Sequence, residues 1–132
     1  MSDAKRILLV EDNATLRELT QAILDSSGFV VLPAKDGAEA LSLMRSSGPF
    51  DLVITDFVMP GISGIQLAEQ LSATGPINVL FVSGYEADEI ESLQKLVKTG
   101  AHFLSKPFTA ATLRVRVQAL LDGAESRSLT LK

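Results

Sequence analysis

"DLVITDFVMPG", from Asp51 to Gly61, decides the fold. Leu52, Val53 and Ile54 have the apolar, β-branched character of a strand covered on both faces. The run then ends on Asp56, and Pro60-Gly61 breaks regular structure a few residues later. A carboxylate at the carboxyl end of a buried strand is expensive unless something there answers its charge.

On either side of this stretch, short apolar runs alternate with helical patterns. "RILLV" (Arg6 to Val10) predicts a first strand, and "NATLRELTQAILDSSG" a helix capped by Asn13. Leu16, Leu19, Ile23 and Leu24 keep helical spacing in it, and Gly28 suits the position just past its end. "FVVLPA" predicts the second strand, with Pro33 favouring an edge. A helix from about Ala38 carries Ala40, Leu41 and Met44 on one face and closes at Gly48-Pro49. After the strand leading to Asp56, a helix from about Ser63 turns Ile65, Ala68 and Leu71 inward. "INVLFVSG" gives the fourth strand, "EADEIESLQKLVKTG" the fourth helix and "AHFLSKPF" a short fifth strand. Thr109 caps a last helix striped by Leu113, Val117, Leu120 and Leu121.

This alternation predicts an α/β fold, a doubly wound five-stranded parallel sheet with five helices on its two faces. Ligands in such folds sit at the carboxyl ends of the strands. Neither a repeat nor a linker divides the chain, so residues 1–122 read as one domain and 123–132 as a short polar tail.

Composition narrows the chemistry. The 132 residues include no cysteine, which removes thiolate metal sites and disulfides, and the single histidine, His102, argues against a catalytic triad or a histidine-rich metal site. The net charge of −4 and the scattered basic residues argue against a nucleic-acid binder. No stretch approaches the apolar length of a membrane span, and no signal-peptide core opens the chain, so the expectation is a soluble cytoplasmic protein.

Glu11-Asp12 follow the first strand, Asp56 ends the third, Ser83-Gly84 end the fourth and Lys106-Pro107 follow the fifth. Three carboxylates, a hydroxyl and an ammonium therefore converge on one edge of the sheet. Crowded carboxylates repel unless a cation intervenes. Mg²⁺ suits them, since it takes oxygen ligands and keeps waters or phosphate oxygens in its shell. Together the groups fit a phosphoryl group held on Asp56 as an aspartyl-phosphate, its charge met by metal, lysine and hydroxyl.

From roughly Lys5 to Leu121 the chain resembles the receiver domain of bacterial two-component response regulators, through "LLVEDN", "DFVMPG", "FVSG" and "SKPF". The resemblance implies the flavodoxin-like strand order 2-1-3-4-5. It implies that Asp56 is the phosphoacceptor and Asp12 a direct Mg²⁺ ligand, with Glu11 acting largely through metal-bound water and the Val58 carbonyl as backbone ligand. Ser83 matches the switch hydroxyl, Lys106 the phosphate-binding lysine and Phe103 the switch aromatic. The Lys106-Pro107 bond is expected to be cis. The implied donor is a sensor histidine kinase or histidine phosphotransfer protein, and the implied output a protein partner at the face of the fourth helix and fifth strand. On phosphorylation Ser83 would move toward the phosphoryl group and Phe103 would fill the space it leaves. The chain would be a single-domain regulator or the receiver of a hybrid histidine kinase, a monomer or weak dimer, catalysing only its own phosphorylation and dephosphorylation.

Val58 and Tyr85, each two residues beyond a site residue, stand where the family tunes dephosphorylation. Neither suits a water-orienting role: Val58 cannot hydrogen-bond to water and Tyr85 is bulky, which predicts a long-lived phosphoryl group. Other functions fit less well. An aspartate-nucleophile phosphatase of the haloacid-dehalogenase type needs an acid two residues after the nucleophile, where Val58 stands. A flavin carrier needs a phosphate-binding loop where "VEDNAT" is acidic. An unphosphorylated receiver-like scaffold would have no use for the full acidic set with Ser83 and Lys106.

Overall fold

The computed structural model describes residues 4–73, 75, 77–84 and 102–122. Five strands, β1 (Arg6–Val10), β2 (Val30–Ala34), β3 (Leu52–Asp56), β4 (Val79–Ser83) and β5 (His102–Ser105), form one sheet in the order β2-β1-β3-β4-β5. Every pairing is parallel, with Leu9 opposite both Pro33 and Ile54, and Asp56 opposite Val82. The described helices are α1 (Ala14–Ser26), α2 (Gly37–Ser47), α3 (Gly64–Ser72) and α4 (Ala110–Leu121). The helix expected between β4 and β5 lies outside the described residues, as do Tyr85 and the tail.

Alternation along the strands builds the two halves of the core, because successive side chains leave opposite faces. Leu8, Val10, Val53 and Phe81 point to one face, where α2 and α3 supply Ala40, Leu67, Ala68 and Leu71. Ile7, Leu9, Ile54, Leu80 and Val82 point to the other, covered by Leu24 of α1 and by Leu113, Val117 and Leu120 of α4. Each of these large side chains contributes roughly 1.5–3 kcal/mol by leaving water. With both faces covered, β3 and β4 are buried at every position.

Local chemistry sets the helix starts. Asn13, Asp36, Ser63 and Thr109 accept hydrogen bonds at 2.9–3.2 Å from backbone N–H groups three residues on, each worth about 1 kcal/mol. At Ser63 the bond is reciprocated, since Gln66 Oε1 accepts the Ser63 N–H at 2.9 Å. Gly28, at φ +93°, follows α1 where a side chain would be strained.

Pro33 lies on an edge strand as expected, and Lys106–Pro107 is cis; so is Gly48–Pro49, which was not expected. The apolar spacing of α1 does not translate into burial throughout. Leu24 is fully buried, yet Leu19 is 56% exposed, because the β5–α4 connection leaves a groove there instead of a roof.

β1 is the point where the strand order reverses, with β2 on one side and β3 on the other. The crevice such a reversal opens lies beyond the carboxyl ends of β1 and β3. Glu11 and Asp12 follow the one strand and Asp56 ends the other.

Candidate functional site

Glu11, Asp12 and Asp56 each turn a carboxylate oxygen toward a common point, the oxygens lying within 4.8 Å of one another. They form the one acidic group among the described residues arranged to hold a metal ion. Asp56 and Glu11 are buried, at 3% and 5% exposure, whereas Asp12 is exposed at the mouth. Oxygens this close together could share one Mg²⁺, bound directly or through its water. The donor set, oxygen only and mostly carboxylate, suits a hard cation.

Lys106 joins two of these acids. Its Nζ lies 2.7 Å from Asp56 Oδ1 and 3.3 Å from Glu11 Oε1, with about a third of its side chain still exposed. The backbone places it there, since the Lys106 N–H donates to the Ser83 carbonyl at 2.7 Å and so fixes the β5 end against the β4 end. Ser83 is itself buried. All the residues the sequence placed at strand carboxyl ends are thus brought to one edge.

The electrostatics follow from this crowding. Burial, with the hydrogen bond and charge of Glu11, pushes the Asp56 carboxyl up to about 9 against the pull of Lys106. Burial alone would raise Asp12 too. Hydrogen bonding with Asp56 and Glu11 and the charge of Lys106 outweigh it and hold Asp12 below its ordinary value. Burial also works against the Lys106 ammonium, but contact with Asp56 and then Glu11 carries it above its usual value.

The surroundings differ in kind. Val58 is 59% exposed although it stands two residues from a buried acid. Phe103 is half-buried and stacks on Phe81 with centroids 5.4 Å apart, while Phe57 meets both rings edge-on at 5.8 and 6.3 Å. Beside the site an apolar groove of about 620 Å³ is lined by Leu16, Leu19, Ile23, Pro107, Phe108, Ala110 and Lys106 itself.

Two contributions had not been expected from the sequence. Gly64, the first residue of α3, packs so closely that a Cβ there would overlap the Asp56 carbonyl, and its N–H donates to the Phe57 carbonyl at 3.0 Å, closing the loop after Asp56. Arg17 donates from Nη1 to the Glu11 carbonyl at 2.8 Å. A glycine one turn past a Pro-Gly pair could have signalled the first; no spacing rule announces a side chain that reaches back to a carbonyl.

The family model of the response regulator receiver domain matches residues 7–118. The uncharacterised transcriptional regulatory protein YrkP of Bacillus subtilis is 37% identical over 118 residues, 89% of this chain and 50% of its own length. The phosphate regulon transcriptional regulatory protein PhoB of Escherichia coli is 34% identical, over 89% of this chain and 52% of its own. This chain therefore spans about half the length of the curated relatives it matches. The crystal structure of a response regulator receiver domain protein from Clostridium thermocellum superposes with a TM-score of 0.81 at 27% identity, covering 92% of this chain and 97% of that one. Fold, strand order and match along the chain agree: this protein belongs to the response regulator receiver domain family of two-component signal transduction.

Proposed function

We propose that residues 1–122 act as a phosphorylation-dependent switch in the cytoplasm, accepting a phosphoryl group on Asp56 from a histidine kinase or histidine phosphotransfer protein. The observation that carries this reading is the placement of Lys106 Nζ 2.7 Å from a buried Asp56 that is grouped with Glu11 and Asp12. Asp12 and Asp56 would hold Mg²⁺ directly with the Val58 carbonyl, and Glu11 through water. When bound, the ion would neutralise charge on the phosphoryl oxygens during transfer. A carboxylate oxygen of Asp56 attacks phosphorus. The P–N bond to the donor imidazole breaks, and the nitrogen leaves with the electron pair and takes up a proton. Lys106 meets the developing charge, and the Ser83 hydroxyl donates to a phosphoryl oxygen once the group is in place. Phe103 would follow Ser83, changing the surface around β5 and the segment before it for a downstream protein partner. The chain is on this reading a signalling module and not an enzyme with a separate substrate.

The donor would approach over the apolar groove of α1, because Lys106 lines both that groove and the acceptor site. Incubation with Mg²⁺ and acetyl phosphate, followed by intact mass, tests the reaction. A metal-dependent gain of one phosphoryl mass, lost in Asp56→Asn, is expected. No gain, or a gain that survives the substitution, would return the chain to a scaffold role.

A further inference from the structure

Glu11 is held at each of its four polar atoms. Its N–H donates to the Ala34 carbonyl at 3.0 Å, Oε2 accepts the Asn13 N–H at 3.0 Å, and Oε1 faces Lys106 at 3.3 Å. The fourth, its carbonyl oxygen, accepts from Arg17 Nη1 at 2.8 Å. Two of these partners are backbone and one is a proposed site residue. Arg17 is neither: it is a half-buried side chain of α1 that reaches back across the β1–α1 connection, and the transfer proposed above does not use it.

The carbonyl it grips belongs to the Glu11–Asp12 peptide. That peptide is planar, so fixing its oxygen also fixes the direction in which the chain enters Asp12. Asp12 is the exposed member of the acidic trio, the one least constrained by packing. The Arg17 guanidinium bonds the backbone carbonyl and takes up no carboxylate oxygen of the cluster.

We propose that Arg17 is a positioning residue for the metal site, clamping the Glu11–Asp12 peptide so that the three carboxylates are preorganised for a divalent cation. This rests on the reading of the acidic cluster as a Mg²⁺ site. Outer-shell partners of this kind change metal affinity by about 10–100-fold when removed, and a brace acting through one carbonyl belongs at the lower end.

The experiment is calorimetric titration of the full chain with MgCl₂, alongside thermal unfolding in EDTA, for wild type, Arg17→Met, Arg17→Gln and Arg17→Lys. Methionine keeps an apolar stem without a donor, glutamine keeps a donor without charge, and lysine keeps both. Arg17→Met should bind Mg²⁺ about tenfold more weakly, Arg17→Gln should fall between, and Arg17→Lys should recover most of the affinity. Metal-free melting should stay the same across the set. Wild-type affinity in Arg17→Met overturns the inference. So does a loss of affinity that tracks a loss of melting temperature and is not rescued by lysine, which would make Arg17 a stabilising brace only. If wild type itself fails to bind Mg²⁺, the metal reading falls and this inference with it.

Discussion

Lys106 Nζ lies 2.7 Å from Asp56 Oδ1, so the buried acid proposed to attack phosphorus meets a fixed cation on its own carboxylate. The same ammonium is within 3.3 Å of Glu11, which ties it to the metal side of the site as well. Replacing it should therefore affect chemistry more than binding. Lys106→Met is expected to slow phosphorylation by acetyl phosphate about 10²-fold, the usual effect of removing one preorganised charge-stabilising group. A time course by intact mass at saturating Mg²⁺ measures this, and an unchanged rate would exclude Lys106 from the transfer.

The raised Asp56 carboxyl makes the metal-free fold sensitive to pH. Folded, the group holds its proton up to about 9; unfolded, it releases it near 3.8. Between these values the folded chain binds the proton more tightly, so stability falls as pH rises through the window. Urea unfolding in EDTA from about pH 5 to about pH 8.5 should show a steeper loss in wild type than in Asp56→Asn. Parallel slopes would show that folding does not hold the proton on Asp56.

Gly64 leaves no room for a side chain against the Asp56 carbonyl. Gly64→Ala must displace either the start of α3 or the end of β3, and overpacking of this kind costs about 1–3 kcal/mol. The urea midpoint should drop accordingly. Mg²⁺ binding should weaken as well, because the displaced backbone carries an acid of the site. Wild-type stability in this variant would mean that the loop has slack.

Val58 is exposed and apolar where a polar side chain could orient an attacking water. The phosphorylated protein should keep its phosphoryl group for minutes or longer. Val58→Asn should shorten that lifetime by about tenfold, below the ceiling usual for a positioned acid or base. Decay followed by intact mass after removal of the donor gives both lifetimes; a wild-type lifetime of seconds would contradict the assignment.

The strand ends were legible because a fully buried parallel strand leaves only its terminal residues free for polar chemistry. That is why Asp56 and Ser83 stood out, whereas Lys106 follows β5, a partly exposed edge strand, and was legible only from its place after that strand. Helix faces were less legible. Leu19 has the spacing of a core residue and faces an open groove, while Leu67, not singled out, is fully buried. Spacing identifies a stripe but not what another element lays over it. Least legible were contacts made through backbone atoms, such as Arg17 on the Glu11 carbonyl and Gly64 against the Asp56 carbonyl. Such bonds depend on where the chain turns in space, and side-chain type records that only indirectly.

The exposure of Val58 beside the burial of Asp56 separates two selective pressures. Substitutions at exposed positions usually move stability by no more than about 0.5 kcal/mol. On the proposed reading, the duration of a signal would therefore be open to tuning at residue 58 without the fold opposing the change. Two copies of such a domain serving fast and slow responses could diverge there first, long before their cores differ.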